Sequence, residues 1–185
     1  MENIIKRQLN DHISVIKKID VNQIMQIAKI LVDALKDGKH IFLFGNGGSA
    51  SDAQHLAAEL CGKYKLDRDP LPAIAISSNI SAITAIANDY TYDKIFERQL
   101  KAFANTGDVA IGISTSGVSC NVLKAIETAK KIKLITIAFT GSSGKLKDIV
   151  DFPLIIPSEE VPYIQEGYMV AGHIICDLVE REIFG

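Results

Sequence analysis

The chain has 185 residues, of which 48% are hydrophobic and 23% are charged. This length fits one domain, and the apolar fraction excludes a chain that is disordered throughout. Twenty basic residues against twenty-two acidic ones leave a formal net charge of −2. That balance excludes a broad basic surface for nucleic acid or for an anionic membrane.

The lack of a recognisable targeting signal and the spacing of the cysteines favour a reducing compartment. The first residues, Met1–Arg7, lack the apolar stretch of a signal peptide, and no apolar run reaches the roughly 18 residues of a membrane span. Cys61, Cys120 and Cys176 are far apart and form no CxxC pair. This argues against a disulfide framework and against a cysteine-built zinc site. We therefore expect a cytoplasmic protein.

Two amphipathic helices are predicted in the first forty residues, because apolar residues recur there at helical spacing. Asp20 and Gln23 have the spacing of a capping box that opens the second helix, and Gly38 closes that helix. We expect residues 1–185 to form a single domain in which residues 1–38 are a helical extension that serves oligomerisation.

Short apolar runs then alternate with helical stretches along the rest of the chain. The runs are rich in Ile, Val or Phe, as are strands buried on both faces. The five predicted strands are His40–Phe44, Ala73–Ile76, Val109–Ile113, Leu134–Phe139 and Phe152–Ile156. The predicted helices are Ser51–Cys61, Ile80–Ala87, Asp93–Ala104, Asn121–Lys131, Lys145–Val150 and Tyr163–Ile183. This alternation predicts an α/β domain with a doubly wound, five-stranded parallel sheet and an N-terminal helical extension. Ligands of such sheets bind beyond the carboxyl ends of the strands.

A glycine-rich loop, Gly45–Ala50, follows the first strand and opens a helix. Its glycines let backbone N–H groups approach a ligand closely, and the helix N-terminus favours negative charge. Ser49 and Asp52 have the spacing of a capping box for that helix. The loop also matches the dinucleotide pattern G-x-G-x-x-A. However, the second strand ends in Ser77–Asn79 rather than in the acid that would bind ribose, so a dinucleotide is disfavoured. A tight turn without a ligand is the alternative.

A serine-rich loop, Ser114–Ser119, follows the third strand and opens another helix. Its hydroxyls and backbone amides, placed at a helix N-terminus, form a neutral cradle for a phosphate monoester. The loop lacks the lysine of a P-loop, which disfavours cleavage of a nucleoside triphosphate. Simple N-capping by serine is the alternative. Together the two loops favour a phosphorylated small molecule.

Candidate chemical groups lie on the helix after the glycine loop, where Asp52, His55 and Glu59 share one face. His55 and Glu59 can share a divalent metal, because zinc accepts nitrogen and oxygen ligands. Glu59 could instead remove a proton from a carbon beside a carbonyl. An ordinary pair on the protein surface is the third interpretation.

The last helix adds Gln165 and His173. A polar stripe runs along this mostly apolar helix and comprises Glu166, His173, Asp177 and Glu180. Periodicity alone therefore predicts a solvated His173 as readily as a functional one. Eight residues of straight helix separate Gln165 from His173 by about 12 Å. Both can reach one ion only through an irregular helix start or from different subunits.

Two further polar clusters stand out between the predicted elements. Asn88–Tyr90 has turn chemistry. A basic stretch of the following residues could reach a phosphate, but a solvated loop is favoured: Lys63, Tyr64, Lys65 and Arg68.

In the order and spacing of these motifs the chain resembles the sugar isomerase (SIS) superfamily and, within it, the phosphoheptose isomerases. The matching segments are Gly45–Ser49, Asp52–Leu60, Pro72–Ile76, Asn88–Tyr90, Gly112–Gly117 and Ile164–Glu166. They cover nearly the whole chain. The resemblance implies an SIS domain of the flavodoxin-like, nucleotide-binding type.

The resemblance also implies a homotetramer with active sites between subunits and one Zn²⁺ per subunit. The implied zinc ligands are His55, Glu59, Gln165 and His173. The implied substrate contacts are Asn46, Gly47, Gly48, Asn88, Asp89, Ser114, Thr115, Ser116, Ser119 and Gln165. Glu59 and His173 are also the implied acid–base pair of a 1,2-proton transfer.

The implied activity is that of an aldose–ketose isomerase, which converts sedoheptulose 7-phosphate to D-glycero-D-manno-heptose 7-phosphate through an enediol. This is the first step toward the ADP- or GDP-heptose precursors of lipopolysaccharide or capsule. Family members usually carry Asp-Arg just before the glutamine of the last helix, where this chain has Pro162 and Tyr163, and many carry a second acid in place of Ala58. These departures bear on substrate identity more than on reaction type.

Two alternatives accompany this interpretation. Some noncatalytic SIS proteins bind a replication initiator, and they resemble this chain in Leu71–Ile76 and Ala85–Asp89. They lack equivalents of Glu59 and His173, which this chain keeps, so an enzyme is favoured. The other alternative is an SIS isomerase that acts on a pentose or hexose phosphate.

Overall fold

Five strands and eight helices follow one another in the predicted order in the computed structural model, which describes residues 1–185. The strands are β1 (Ile41–Gly45), β2 (Ala73–Ala75), β3 (Val109–Ser114), β4 (Ile135–Thr140) and β5 (Phe152–Ile155). The helices are α1 (Glu2–Ile16), α2 (Val21–Lys36), α3 (Gly48–Cys61), α4 (Ile80–Asp89), α5 (Ile95–Phe103), α6 (Cys120–Lys131), α7 (Leu146–Ile149) and α8 (Val161–Phe184). A 3₁₀ turn at Tyr92–Lys94 precedes α5. Every predicted strand is confirmed to within one residue at each end.

The sheet is parallel throughout, with the strand order β2-β1-β3-β4-β5. The chain therefore leaves β1 toward β2 at one edge and resumes at β3 on the other side of β1. This reversal is a topological switch point, where the loops after β1 and β3 diverge and leave a crevice for a ligand. The predicted doubly wound fold is confirmed.

Helices cover both faces of the sheet, because alternate strand residues point to opposite sides. Ile41 and Leu43 pack with α2, α3 and α8, while Phe42 and Phe44 pack with α5 and α6. Helix α1 contributes no buried residue. Its apolar side chains Ile4, Ile5, Leu9 and Ile13 are exposed.

The N-terminal cap of α2 differs from the predicted capping box. The Asp20 carboxylate accepts the Asn22 N–H at 2.9 Å, as an N-cap should. Gln23, however, does not bond back to Asp20: its Oε1 accepts the Ile155 N–H at 2.9 Å. The capping-box prediction is wrong because the glutamine satisfies a backbone donor at the edge strand β5.

Helix α8 lies against α3 at a close contact formed by Gly172. A Cβ added to this glycine would lie 2.8 Å from Leu56 Cδ2, closer than side chains approach one another. The missing side chain thus lets the two helices that carry the candidate catalytic residues come together. None of the helices combines the length and the apolar character that crossing a membrane requires.

Candidate active site

The glycine-rich loop turns directly from β1 into α3. Gly47 is the N-cap residue and has φ +54°, a conformation that glycine adopts without strain. A Cβ on Gly48 would collide with the side-chain amide of Gln165, so the observed position of that amide depends on the glycine. The predicted capping box of Ser49 and Asp52 is wrong, because the helix begins at Gly48. Ser49 Oγ is instead hydrogen-bonded to the Tyr168 hydroxyl at 2.9 Å.

Asn46 ties the glycine-rich loop to the start of α6. Its side-chain amide exchanges two hydrogen bonds of 2.8 Å with the amide of Asn121, and the Tyr92 hydroxyl donates to Asn46 Oδ1 at 3.0 Å. Asn121 is buried. The sequence patterns do not single out Asn121 or Tyr92, although an asparagine on the apolar face of α6 is a usable signal of a buried polar contact.

The serine-rich loop is organised around Ser114, the last residue of β3. Its Oγ lies 3.0 Å from Ser119 Oγ and accepts the Gly117 N–H at 3.2 Å. Ser119 is the N-cap residue of α6, yet its side chain caps no backbone N–H. Simple N-capping is therefore wrong for this serine. Thr115 is half-buried and Ser116 exposed, so the loop presents hydroxyls beside a helix N-terminus, where an anion is stabilised.

Three metal-ligand side chains from α3 and α8 meet in one cluster, which we call the triad: His55, Glu59 and His173. One ligand atom from each lies within 4.8 Å of the others. His55 Nε2 is 3.1 Å from Glu59 Oε1 and 3.1 Å from His173 Nε2. Two imidazole nitrogens and a carboxylate oxygen form a donor set that suits Zn²⁺ and leaves room for at least one further ligand.

Gln165 lies in the regular part of α8 and contacts Asp52. Its Nε2 donates to Asp52 Oδ2 at 3.0 Å. Burial raises the pKa of the Asp52 carboxyl, which the hydrogen bonds of Gln165 and Tyr168 partly offset. No hydrogen bond joins Gln165 to the triad within this chain, and the helix has no irregular start that would shorten the distance to His173. Gln165 as a zinc ligand therefore stays a prediction that needs a second subunit.

Asn88 and Asp89 end α4 and are both exposed. The Asn88 amide donates to Asp89 Oδ1 at 3.0 Å. No hydrogen bond links either side chain to the two loops or to the triad. Their role as substrate contacts stays a prediction.

Arg68 does not solvate a loop as predicted. Only 2% of its side chain is exposed, and its Nε donates to Glu180 Oε1 at 2.9 Å. Glu180, a member of the polar stripe on α8, is equally buried. The solvated interpretation of the stripe is therefore wrong at this position.

The serine-rich loop and the triad are separate clusters within one chain. The loop lies at the carboxyl ends of the strands, as does the start of α3. Glu59 lies eleven residues after Gly48 on that helix, which corresponds to about 16 Å along the axis.

Comparison with known proteins identifies the family of the chain. Residues 6–141 match the family model of the SIS domain. A phosphoheptose isomerase of Clostridium acetobutylicum is 50% identical over 191 aligned positions, which cover 100% of this chain and 97% of that protein. The solved structure of a phosphoheptose isomerase from Neisseria gonorrhoeae has a TM-score of 0.91 and 35% identity, and the match covers 97% of this chain and 98% of that one. The corresponding protein from Francisella tularensis gives a TM-score of 0.92 and 33% identity, with 97% of each chain covered.

The matches to the three phosphoheptose isomerases run over nearly the full length of both chains. The predicted family is confirmed, and so is the prediction of an isomerase over a noncatalytic regulator. The chain belongs to the phosphoheptose isomerases, a family of SIS-domain enzymes.

Proposed function

We propose that the protein converts sedoheptulose 7-phosphate to D-glycero-D-manno-heptose 7-phosphate. The observation that carries this proposal is the triad, in which acid–base and metal-ligand side chains from two helices lie within 4.8 Å of one another. The phosphoheptose isomerase that is 50% identical to the whole chain supports the choice of substrate.

Glu59 removes a proton from C1 of the ketose, and the released electron pair forms the C1–C2 double bond of the enediol. His173 donates a proton to the carbonyl oxygen at C2 and takes one from the oxygen at C1 as the aldose forms. The proton on Glu59 returns to C2. Positioned acid–base groups of this kind contribute about 10²–10⁴-fold to the rate.

The serine-rich loop binds the phosphate ester of the substrate. Its supporting features are the hydroxyls of Ser114, Ser116 and Ser119 and the N-terminus of α6, which stabilise an anion without a basic side chain. Asn46, held by Asn121, fixes the adjacent glycine-rich loop. Their contribution is orientation of the reacting carbon rather than chemistry.

We propose Zn²⁺ as the metal, one per subunit, with His55, Glu59 and His173 as ligands and Gln165 as the fourth. Bound there, it supplies Lewis-acid stabilisation of the negative charge on the enediolate oxygen. A carboxylate has two oxygens. Glu59 would therefore be able to hold the metal through one oxygen and accept the proton on the other.

A homotetramer with active sites between subunits accounts for three features of the chain. The triad and the serine-rich loop are separate clusters, Gln165 does not reach the triad, and the apolar face of α1 is exposed. We propose that residues 1–38 of this single domain serve the assembly. Light scattering should give four times the chain mass, and Leu9→Asp should lower it; a monomeric wild-type protein would contradict the assembly.

The reducing cytoplasm is the proposed location, which the three unpaired cysteines support. Another sugar phosphate is the second candidate substrate, because Pro162 and Tyr163 replace the usual Asp-Arg pair. Tyr163 packs edge-on against His12, with ring centroids 5.9 Å apart. Its phenol is neutral and cannot supply the positive charge of the usual arginine.

Turnover of phosphorylated ketoses of five, six and seven carbons, with and without a chelator, tests the proposal. Glu59→Gln should abolish turnover while phosphate-ester binding survives. Glu127→Gln, an exposed carboxylate on α6, is the matched control and should leave turnover unchanged. Turnover retained by Glu59→Gln would remove Glu59 from the mechanism, and a preference for a shorter ketose would change the substrate.

A further inference from the structure

The ring of Tyr64 stacks on the imidazole of His173. Their centroids are 5.8 Å apart and their planes are inclined by only 22°. His55 meets the same imidazole nearly edge-on, with centroids 5.0 Å apart and an angle of 61°. Two rings therefore restrict the rotation of His173, whose Nε2 must point toward the other triad members.

The segment that carries Tyr64 is fixed to α8 by a single carboxylate. Glu180 Oε1 accepts the N–H of Tyr64 at 3.1 Å, and Oε2 accepts those of Lys65 and Leu66 at 2.8 and 2.9 Å. Glu180 lies seven residues after His173, which is two helical turns and the same face of α8. The backbone of Tyr64 is thus registered against the helix that carries the imidazole.

Arg68 extends this connection to the end of α3. Its Nε donates to Glu180, while Nη1 and Nη2 donate to the carbonyl oxygens of Leu60 and Glu59, each at 2.9 Å. The guanidinium therefore joins the last turn of the helix that carries Glu59 to the helix that carries His173. Arg68 and Glu180 are each only 2% exposed, so solvent does not compete for these bonds.

We propose that Tyr64 is a positioning residue that orients the His173 imidazole toward Glu59 and His55, and that the Arg68–Glu180 pair holds Tyr64 in place. In the sequence, Tyr64 stands between Lys63 and Lys65, a pattern that suggests a solvated surface. Nothing in this local pattern indicates that Tyr64 contacts the triad. The kinetic part of the test rests on the proposed isomerase reaction, whereas the zinc-binding part rests only on the proposed metal site.

Tyr64→Ala tests the proposal, with Tyr64→Phe as the conservative variant that keeps the stacking ring. Tyr64→Ala should lower kcat for sedoheptulose 7-phosphate 10–100-fold, the range typical of groups that orient metal ligands. KM should change less than about threefold, because the serine-rich loop is a separate cluster and binding there is unaffected. Zinc affinity, measured by competition with a chromogenic chelator, should fall about tenfold. Tyr64→Phe should stay within about threefold of wild type in all three quantities.

Asp177→Asn is the matched control, because it removes an exposed pair of Lys65 with α8 at 3.0 Å and leaves the stacked rings in place. It should change kcat and zinc affinity less than twofold. Circular dichroism establishes that each variant is folded at the assay temperature. Should Tyr64→Ala not fold, Tyr64→Leu keeps the apolar volume without a flat ring and carries the same expectation.

Wild-type kcat and zinc affinity in Tyr64→Ala or Tyr64→Leu would overturn the proposal. Equal losses in Tyr64→Phe and Tyr64→Ala would also overturn it, because the hydroxyl rather than the ring would then be responsible. A wild-type protein that isomerises no ketose phosphate would refute the proposed function, and the zinc competition would still decide the role of Tyr64.

Discussion

The buried ion pair between Arg68 and Glu180 makes Glu180→Gln an informative perturbation. The carboxylate accepts four hydrogen bonds between 2.8 and 3.1 Å, three from backbone N–H groups and one from Arg68. The amide of the glutamine keeps the shape of the carboxylate, but its NH₂ group would face backbone N–H groups that also need an acceptor. It also leaves the Arg68 guanidinium, which is 2% exposed, without a counter-charge. Removing one partner of a buried pair costs about 3–5 kcal/mol. That is a large part of a total stability of about 5–15 kcal/mol.

Urea unfolding at pH 7, followed by circular dichroism, measures this loss. For a chain of this size, a loss of about 1 kcal/mol in the free energy of unfolding lowers the thermal midpoint by roughly 2–4 °C. Thermal unfolding of the variant should therefore show a midpoint about 6–20 °C below that of the wild type. Asp177→Asn, which removes exposed pairs with Lys65 and Arg181 on the same helix, should cost less than about 1 kcal/mol. A loss below about 1 kcal/mol in Glu180→Gln would refute the reasoning.

The pH dependence of the same comparison has a definite sign. Burial alone would raise the pKa of Glu180, but the N–H groups of Leu66, Lys65 and Tyr64 together with Arg68 outweigh it, so the pKa is lowered. A carboxyl with a lowered pKa in the folded state contributes stability that is present above its unfolded pKa of about 4.3. That contribution is lost as the pH falls through the folded pKa. The stability difference between wild type and Glu180→Gln should therefore shrink below about pH 4, and a constant difference from pH 7 to 3 would contradict this account.

Two further substitutions test how the site is assembled. Gly172→Ala places a Cβ 2.8 Å from Leu56 Cδ2. The cost of overpacking, about 1–3 kcal/mol, should exceed the gain in helix propensity of at most about 1 kcal/mol. Urea unfolding should therefore show a net loss of stability, and a variant that is equally or more stable would mean that α8 shifts without strain. Asn121→Ala leaves the Asn46 amide without its reciprocal partner, at a cost of about 1–3 kcal/mol. The proposed role of the glycine-rich loop in orienting the substrate predicts a loss in kcat/KM of about tenfold or more in steady-state kinetics. An unchanged value would separate the asparagine pair from catalysis.

The strands could be predicted to within a residue because parallel strands buried on both faces form short, continuous apolar runs. The start of α3 was less predictable: the structure begins it at Gly48 rather than Ser51. A glycine has low helix propensity, and a sequence does not reveal that Gly47 adopts a positive φ and allows the helix to begin one residue later. Within the site, the i, i+4 spacing of His55 and Glu59 predicted their proximity because that contact is local.

Contacts between distant segments explain what the sequence could not predict. Arg68 and Glu180 are 112 residues apart, and only the packing of α8 against α3 brings them together. A surrounding run of charged residues predicts exposure, because charged groups are rarely buried unless they are paired. The pair satisfies this condition through a partner that no local pattern specifies.

The polar stripe of α8 shows why such partners matter for function. Periodicity alone is also consistent with a solvated face, yet each member contacts a side chain from another part of the chain, and three of the four contact the segment 64–68. The contacts are Glu166 with His12, His173 with His55 and Tyr64, Asp177 with Lys65, and Glu180 with Arg68. Helix α8 packs against the sheet along one face, whereas Val170, Ile174 and Leu178 on another face are exposed. Periodicity alone cannot separate a polar position that faces water from one at which another element supplies a partner, because both recur at the same helical spacing. Only the tertiary contacts of each residue distinguish the two cases.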